Sequence, residues 1–195
     1  MQKFTVHTGT AVPLRASDVD TDQILPAEYL KRVTRSGFED ALFASWRKDP
    51  AFVLEQPERA GASVLVANEN FGTGSSREHA VWGLQDWGFR VVISPRFGDI
   101  FRGNAAKNGL LPVVLPSDVV VHIQDLVEVD PTLPITVDLE QLEVRVADVV
   151  QSFEVAPDTR WRLLNGFDDI SITLQSSEVI AKFEAARPTW KPRVV

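Results

Sequence analysis

Apolar positions between residues 62 and 128 alternate between two periods. The run Ala62-Ser63-Val64-Leu65-Val66-Ala67 has the length of a buried strand. After it, Ala80, Val81, Leu84 and Trp87 recur at helical spacing, which predicts a helix over 76–86. The pattern then repeats. An apolar run at 89–94 (Phe89, Val91, Val92, Ile93) predicts a strand, 97–107 a helix ending at Asn108-Gly109, and 110–115 another strand. Ser117 is placed to cap a helix running through 127. Strand and helix in alternation predict an α/β layered core with parallel pairing.

The flanks read differently. Phe4, Val6, Ala11 and Val12 predict a short strand within 4–12, and 13–23 reads as a polar loop holding Asp18, Asp20 and Asp22. Pro26 suits the first position of a helical turn over 27–30. Residues 38–46 read as a short amphipathic helix, and 49–61 as an irregular connection. Further on, 135–139 and 142–146 alternate apolar and polar, the signature of a half-exposed hairpin. A helix over 159–165 should close at Gly166, and another over 177–187 should stop before Pro188. With no repeat, low-complexity tract or linker, the expectation is one domain over 1–195 with a tail from about 188.

Composition narrows the classes. A chain of 195 residues can bury a proper core. A net charge of −7 argues against nucleic acid or an anionic membrane as partner, yet leaves room for an anionic substrate held by a few local arginines. There is no cysteine, hence no disulfide, thiol nucleophile or iron–sulfur ligand in this chain. The three histidines, His7, His79 and His122, lack the spacing of a local zinc motif, so no bound metal is expected. His7 and His122 read as structural. Residues 1–12 are too polar for a signal peptide and no run reaches membrane-span length, so the expected location is the cytoplasm.

The candidate chemistry is concentrated in Phe71-Gly72-Thr73-Gly74-Ser75-Ser76-Arg77-Glu78-His79. Strand, glycine loop and helix start in that order aim backbone N–H groups at an anion. The phosphate loop, the dinucleotide fingerprint and the hydrolase elbow each fail on a residue: no Gly-Lys-Ser/Thr end, Arg77 where a glycine is needed, and Glu78 where a glycine is needed. A structural alternative is a capping box with Ser75 at the N-cap and Glu78 three residues on. A cap accounts for neither the second serine nor the arginine, whose planar fork offers two parallel donors to a carboxylate.

Three stretches together resemble one family: Asp20-Thr21-Asp22-Gln23-Ile24-Leu25-Pro26-Ala27, Tyr29-Leu30-Lys31-Arg32-Val33-Thr34-Arg35 and Gly74-Ser75-Ser76-Arg77-Glu78-His79-Ala80. They are similar to the small subunits of 3-isopropylmalate dehydratase, the swivel domain of the aconitase superfamily. The resemblance extends through His7-Thr8-Gly9, Gly98-Asp99-Ile100-Phe101-Arg102-Gly103-Asn104 and Leu163-Leu164-Asn165-Gly166-Phe167-Asp168-Asp169-Ile170. Thr73 stands where many members carry cysteine.

The resemblance implies a swivelling β/β/α architecture with a mixed, partly parallel sheet flanked by helices. It implies a hydro-lyase that interconverts 2- and 3-isopropylmalate through isopropylmaleate in leucine biosynthesis. The [4Fe–4S] cluster is expected on cysteines of a separate large subunit, which fits the absence of cysteine here. By motif, Ser75 maps onto the catalytic serine, and Ser76 and Arg77 onto groups that bind substrate carboxylate. Asp22 maps onto an acid at the rim, and Tyr29, Leu30, Lys31 and Arg32 onto the substrate-selecting loop. Lys31, Arg32 and Arg35 are further candidates for the small dicarboxylate, with Gly72, Gly74, Glu78 and His79 supporting the loop. His79 should lie one turn inside the helix and brace the loop by hydrogen bonding. Homoaconitate, methylmalate or citrate-like substrates, or a non-catalytic anion-binding module, are the alternative readings. The tryptophans read as core residues or as contacts between subunits, and the basic tail 187–193 as a solvated end or a docking segment.

Overall fold

The structure, a computed structural model, describes residues 1–188 and 190–192. Of the basic tail, Thr189 and Arg193 lie outside the described residues. Among the described residues, eight strands form two four-stranded sheets. The first is parallel, in the order β2 (Ala11–Leu14), β3 (Val64–Ala67), β4 (Val91–Ser94), β5 (Leu111–Val114). The second is antiparallel, in the order β1 (Val6–Gly9), β6 (Ile135–Asp138), β7 (Glu143–Val146), β8 (Val149–Ser152). The α/β class therefore holds, with parallel and antiparallel pairing kept in separate sheets.

Why the strands of the first sheet read as unbroken apolar runs is visible in their packing. Successive residues face two different cores. Val64, Val66, Val91, Ile93, Leu111 and Val113 point into one, together with inward residues of β6 and β7 and of helix α4 (Ser117–Val129). Val12, Leu14, Leu65, Ala67 and Val92 point into the other, against helices α2 (His79–Trp87) and α3 (Asp99–Asn108). A parallel sheet covered on both faces has no polar face to alternate with. The antiparallel sheet does: in β7, Val144 and Val146 are buried while Glu143 and Arg145 are only half-covered. The layers are thus β, β and α.

Several expectations are corrected; the single strand expected within 4–12 is two strands, β1 and β2, in different sheets, and the expected loop 13–23 holds the end of β2 and the start of helix α1 (Thr21–Ile24). Residues 38–46 form successive turns, not a helix, with Phe43 at φ +48°. Phe38 and Ala41 belong to one apolar cluster and Leu42 and Phe43 to another, and the Phe43 N–H donates to the Ile24 carbonyl (2.7 Å). A helix would keep those backbone groups to itself, so tertiary packing overrides the local pattern. Ser117 is the first residue of α4 rather than its cap; Pro116 takes the N-cap, and the Ser117 hydroxyl bonds Glu69 instead (3.1 Å). The chain also contains a strand, β8, and a helix, α6 (Asp169–Leu174), that its pattern did not announce. Predicted helices at 159–165 and 177–187 appear as α5 (Pro157–Asn165), closed by Gly166 in the left-handed region, and α7 (Ser177–Ala185).

Candidate active site

The loops that leave the carboxyl ends of β2, β3 and β4 converge, where open α/β sheets place their ligands. The loop after β2 leads to α1 (Thr21–Ile24), whose N-cap Asp20 forms a reciprocal capping box with Gln23 at 2.8 Å in both directions. The loop after β3 carries residues 71–78. It is stitched to the first by the N–H groups of Gly72 and Thr73 on the Val19 carbonyl (2.7 and 3.2 Å) and by the Thr21 N–H on the Thr73 carbonyl (2.9 Å). It is stitched to the third, after β4, by a reciprocal pair between Phe71 and residues 96–98 (3.0 and 2.9 Å). Below them, the buried amide of Gln124 on α4 donates to carbonyls of Leu14 and Val66 at the ends of β2 and β3 (3.3 and 3.0 Å).

Glycine is required at the centre of this stitching. Gly72 has φ +75°, and a Cβ there would lie 2.3 Å from the Phe101 ring. Gly98 passes so close that its Cβ would meet the Gly72 carbonyl at 2.4 Å. Only glycines let the two loops touch.

Ser75 and Ser76 sit exposed at the crest of the second loop. The Thr21 hydroxyl donates to the Ser75 carbonyl (3.1 Å), fixing the backbone from which the Ser75 side chain projects. Arg77 forms a salt bridge with Asp22, so the arginine, the acid and the serine of the sequence reading come together from positions 55 residues apart. The Arg77 side chain is 22% exposed and that of Asp22 53%, which leaves the pair at the surface rather than sealed in the core.

The capping box at Ser75 does not form. Helix α2 begins at His79, with Glu78 at its N-cap. The Glu78 carboxylate is engaged by the Asn108 side chain (2.7 Å), which also receives the Trp82 indole N–H (3.3 Å). The serines therefore precede the helix, and the positive end of its dipole lies past them. His79 is the first helical residue, not one turn inside, and its described contacts are aromatic: Phe38 at 5.6 Å and Trp82 at 4.5 Å between ring centres. Gly74, at φ +87°, has ordinary room beside Asp20.

The second predicted loop flanks this face. Tyr29, Leu30 and Lys31 lie in a single 3-10 turn at 27–31, with Lys31 exposed. Arg32 is occupied: it forks onto both Asp40 oxygens (2.6 and 2.7 Å) and lies over the Tyr29 ring at 4.9 Å. Its hydrogen bonds hold the Asp40 carboxyl below the ordinary carboxylate range. Arg35 stacks on Trp82 (5.5 Å) and, with Glu78, Asn104 and Lys107, lines a cavity of about 470 Å³ beside the serine loop. No described contact joins Lys31 or Arg32 to Ser75. His7 pairs with Ser63 (2.8 Å) away from the site, and burial lowers its pKa, with Arg90 adding to the effect. His122 is exposed on α4.

Thr21, Gly98 and Asn108 escaped the sequence reading. Thr21 and Gly98 stood inside motifs already singled out, and Asn108 was read only as a helix stop. Among the described residues, no group of three His, Asp or Glu side chains is placed to hold a metal ion.

Paired sheets with a serine–arginine loop at the parallel strands' carboxyl ends define a class: residues 1–118 match the aconitase C-terminal domain. Residues 169–194 match the C-terminal domain of the 3-isopropylmalate dehydratase small subunit, and the chain belongs to that small-subunit family. It is 66% identical to the 3-isopropylmalate dehydratase small subunit of Acidothermus cellulolyticus, over 98% of both chains. It is 64% identical to that of Streptomyces coelicolor, over 100% of this chain and 99% of the relative. The crystal structure of 3-isopropylmalate dehydratase from Methanocaldococcus jannaschii superposes with a TM-score of 0.69 at 27% identity, covering 91% of this chain and 99% of that one.

Proposed function

We propose that this chain supplies the proton-handling and carboxylate-binding half of an active site that interconverts 2-isopropylmalate and 3-isopropylmalate in leucine biosynthesis. It is a hydro-lyase component that works with a large subunit. The carrying observation is the exposed Ser75 held beside the Arg77–Asp22 pair on three interlocked loops.

The reaction removes a carbon-bound proton and a hydroxide, which together are one water, and returns them with the positions exchanged. Ser75 is the group we assign to the proton, as base in dehydration and acid in rehydration. Arg77 and Ser76 orient a substrate carboxylate, the arginine by its fork and the serine by its hydroxyl. Asp22 holds the guanidinium aimed until substrate arrives. The [4Fe–4S] cluster expected on the large subunit would supply the Lewis acidity that lets hydroxide leave. Ser75 is exposed and has no basic side chain among its described partners, so the water-excluded surroundings and fixed dipoles that would stabilise its alkoxide belong to the assembled enzyme.

The turn formed by Tyr29, Leu30, Lys31 and Arg32 stands beside this site as the substrate-selecting wall; Asp40 holds Arg32, while Lys31 and the neighbouring Arg35 have no carboxylate partner among the described residues. We take residues 1–195 as one domain and the cytoplasm as its location; no described helix is long and apolar enough to cross a membrane. Co-expression with the large subunit and an isopropylmaleate absorbance assay test the assignment. Turnover should appear only with both chains, and Ser75→Ala should abolish it while the two chains still assemble. Turnover surviving in that variant removes Ser75 from its role.

A further inference from the structure

Helices α6 and α7 differ from the other α-helices among the described residues: neither buries a single residue. Their apolar side chains face outward. Ile170 is 70% exposed, Leu174 59%, Val179 68% and Phe183 71%. Ile170 and Leu174 are four residues apart, as are Val179 and Phe183, so each helix presents a stripe. Scattered exposed apolar residues mean little, but two consecutive helices that each leave a stripe uncovered mark a segment built for contact.

Helix α6 is placed by polar contacts instead of by a core. Asp168 caps α6 reciprocally with Ser171, and Asp169 is bound by Arg162 and by Lys107 (3.4 Å). The apolar stripe of α6 is thus turned outward by the polar contacts of its first turn.

Its location says what it meets. Asp168, Asp169 and Ile170 line the same cavity as Arg35 and Glu78, and Glu78 directly follows Arg77. The stripe begins at the edge of the face that carries Ser75. The match to the C-terminal domain of the small subunit also begins at Asp169, the first residue of α6.

We infer that the apolar stripe of α6 and α7 is the anchor on which the large subunit docks, seating it so that it also covers the Ser75 loop. The inference rests on the reading that Ser75 serves a site shared with that subunit. A second copy of this chain on the same stripe would roof the serine loop with a polypeptide that has no cysteine to offer.

The test uses two double variants of the full chain, Ile170→Ser with Leu174→Ser, and Val179→Ser with Phe183→Ser. All four side chains are exposed, so the thermal midpoint of the isolated chain should stay put. The affinity for purified large subunit should weaken by about tenfold or more in each, since buried apolar anchors dominate an interface. With excess large subunit, turnover should return to the parental kcat. Ser75→Ala should do the reverse, keeping affinity and losing turnover. Parental affinity in both double variants overturns the inference, as does a self-associating chain that turns monomeric in the variants while large-subunit affinity is unchanged. Because affinity is read without turnover, the docking result stands even if Ser75 proves not to be the catalytic group.

Discussion

The guanidinium of Arg77 is held by the carboxylate of Asp22, joining the loop after β3 to the first turn of α1. The pair keeps a carboxylate-binding fork oriented before any substrate is present. Arg77→Lys keeps the charge but loses the fork, and kcat/KM should fall about 10- to 150-fold, the worth of roughly 1.5–3 kcal/mol for a hydrogen bond to a charged group. Asp22→Asn should cost less and act mainly on KM. Because the two side chains touch, their effects should not add: the double variant should be little worse than Arg77→Lys alone. Steady-state kinetics on the assembled enzyme decide this, and strictly additive losses would show that the pair does not act as a unit.

Ser75 and Ser76 are both exposed, so neither stabilises the fold appreciably. Ser75→Ala and Ser76→Ala should each leave stability within about 0.5 kcal/mol of the parent. Their kinetics should separate. Loss of a positioned acid–base group lowers kcat about 10²- to 10⁴-fold, the expectation for Ser75, whereas Ser76→Ala should raise KM with kcat largely kept. A common KM effect in both variants would make Ser75 a binding residue only.

The parallel half of the fold was legible because its strands are buried on both faces, and continuous runs such as Val64-Leu65-Val66-Ala67 have few alternatives. The candidate site was legible chiefly through the resemblance of the runs holding Ser75, Arg77 and Asp22 to one family, and the structure brings Arg77 and Asp22 into contact. What was not legible came from distant partners. Glu78 looked like the far end of a capping box, but Asn108 engages it from 30 residues away, and helix α2 starts later than its local signals say. Arg32 looked available to substrate, and Asp40 holds it. Phe43 adopts a left-handed backbone that no local propensity favours, because Ile24 accepts its N–H. For Glu78 and Phe43 a polar contact from a distant residue outweighs a local preference worth about 1 kcal/mol or less.

The two glycines of the serine loop should respond differently to alanine. At Gly72 a Cβ would lie 2.3 Å from the Phe101 ring and 2.6 Å from its Cβ, and φ is +75°. At Gly74 the nearest atom would be the Asp20 Cβ at 3.5 Å, so only the φ of +87° opposes substitution. Gly74→Ala should therefore destabilise by about 1 kcal/mol. Gly72→Ala adds overpacking of about 1–3 kcal/mol to that strain and should displace the loop from α3. Thermal melts give the ranking, and activity should survive at Gly74 far better than at Gly72. Equal costs at the two positions would mean that the Phe101 ring moves aside freely.

Acid stability should carry a traceable contribution from Asp138. Its carboxylate closes β6 by accepting the N–H groups of Gln141 (2.8 Å) and Glu140 (2.9 Å), with Arg145 at 3.2 Å. These bonds, the one from Gln141 foremost, hold its pKa below the ordinary 3.8. The unfolded chain thus takes up this proton at a higher pH than the folded one. Between the two pKa values the unfolded state binds more protons, so stability falls as pH falls. The stabilisation is complete well above pH 4, declines through about pH 4 and below, and is gone once the folded group is protonated too. Asp40, Glu128, Asp168 and Asp169 are depressed in the same direction, so the parent should lose stability steeply there for several reasons at once. Comparison with Asp138→Asn isolates one of them. The variant should melt below the parent at pH 7, and the gap should shrink as both are taken to pH 3. A gap that stays constant with pH would place the value of Asp138 in its shape and hydrogen-bond geometry, not in its charge.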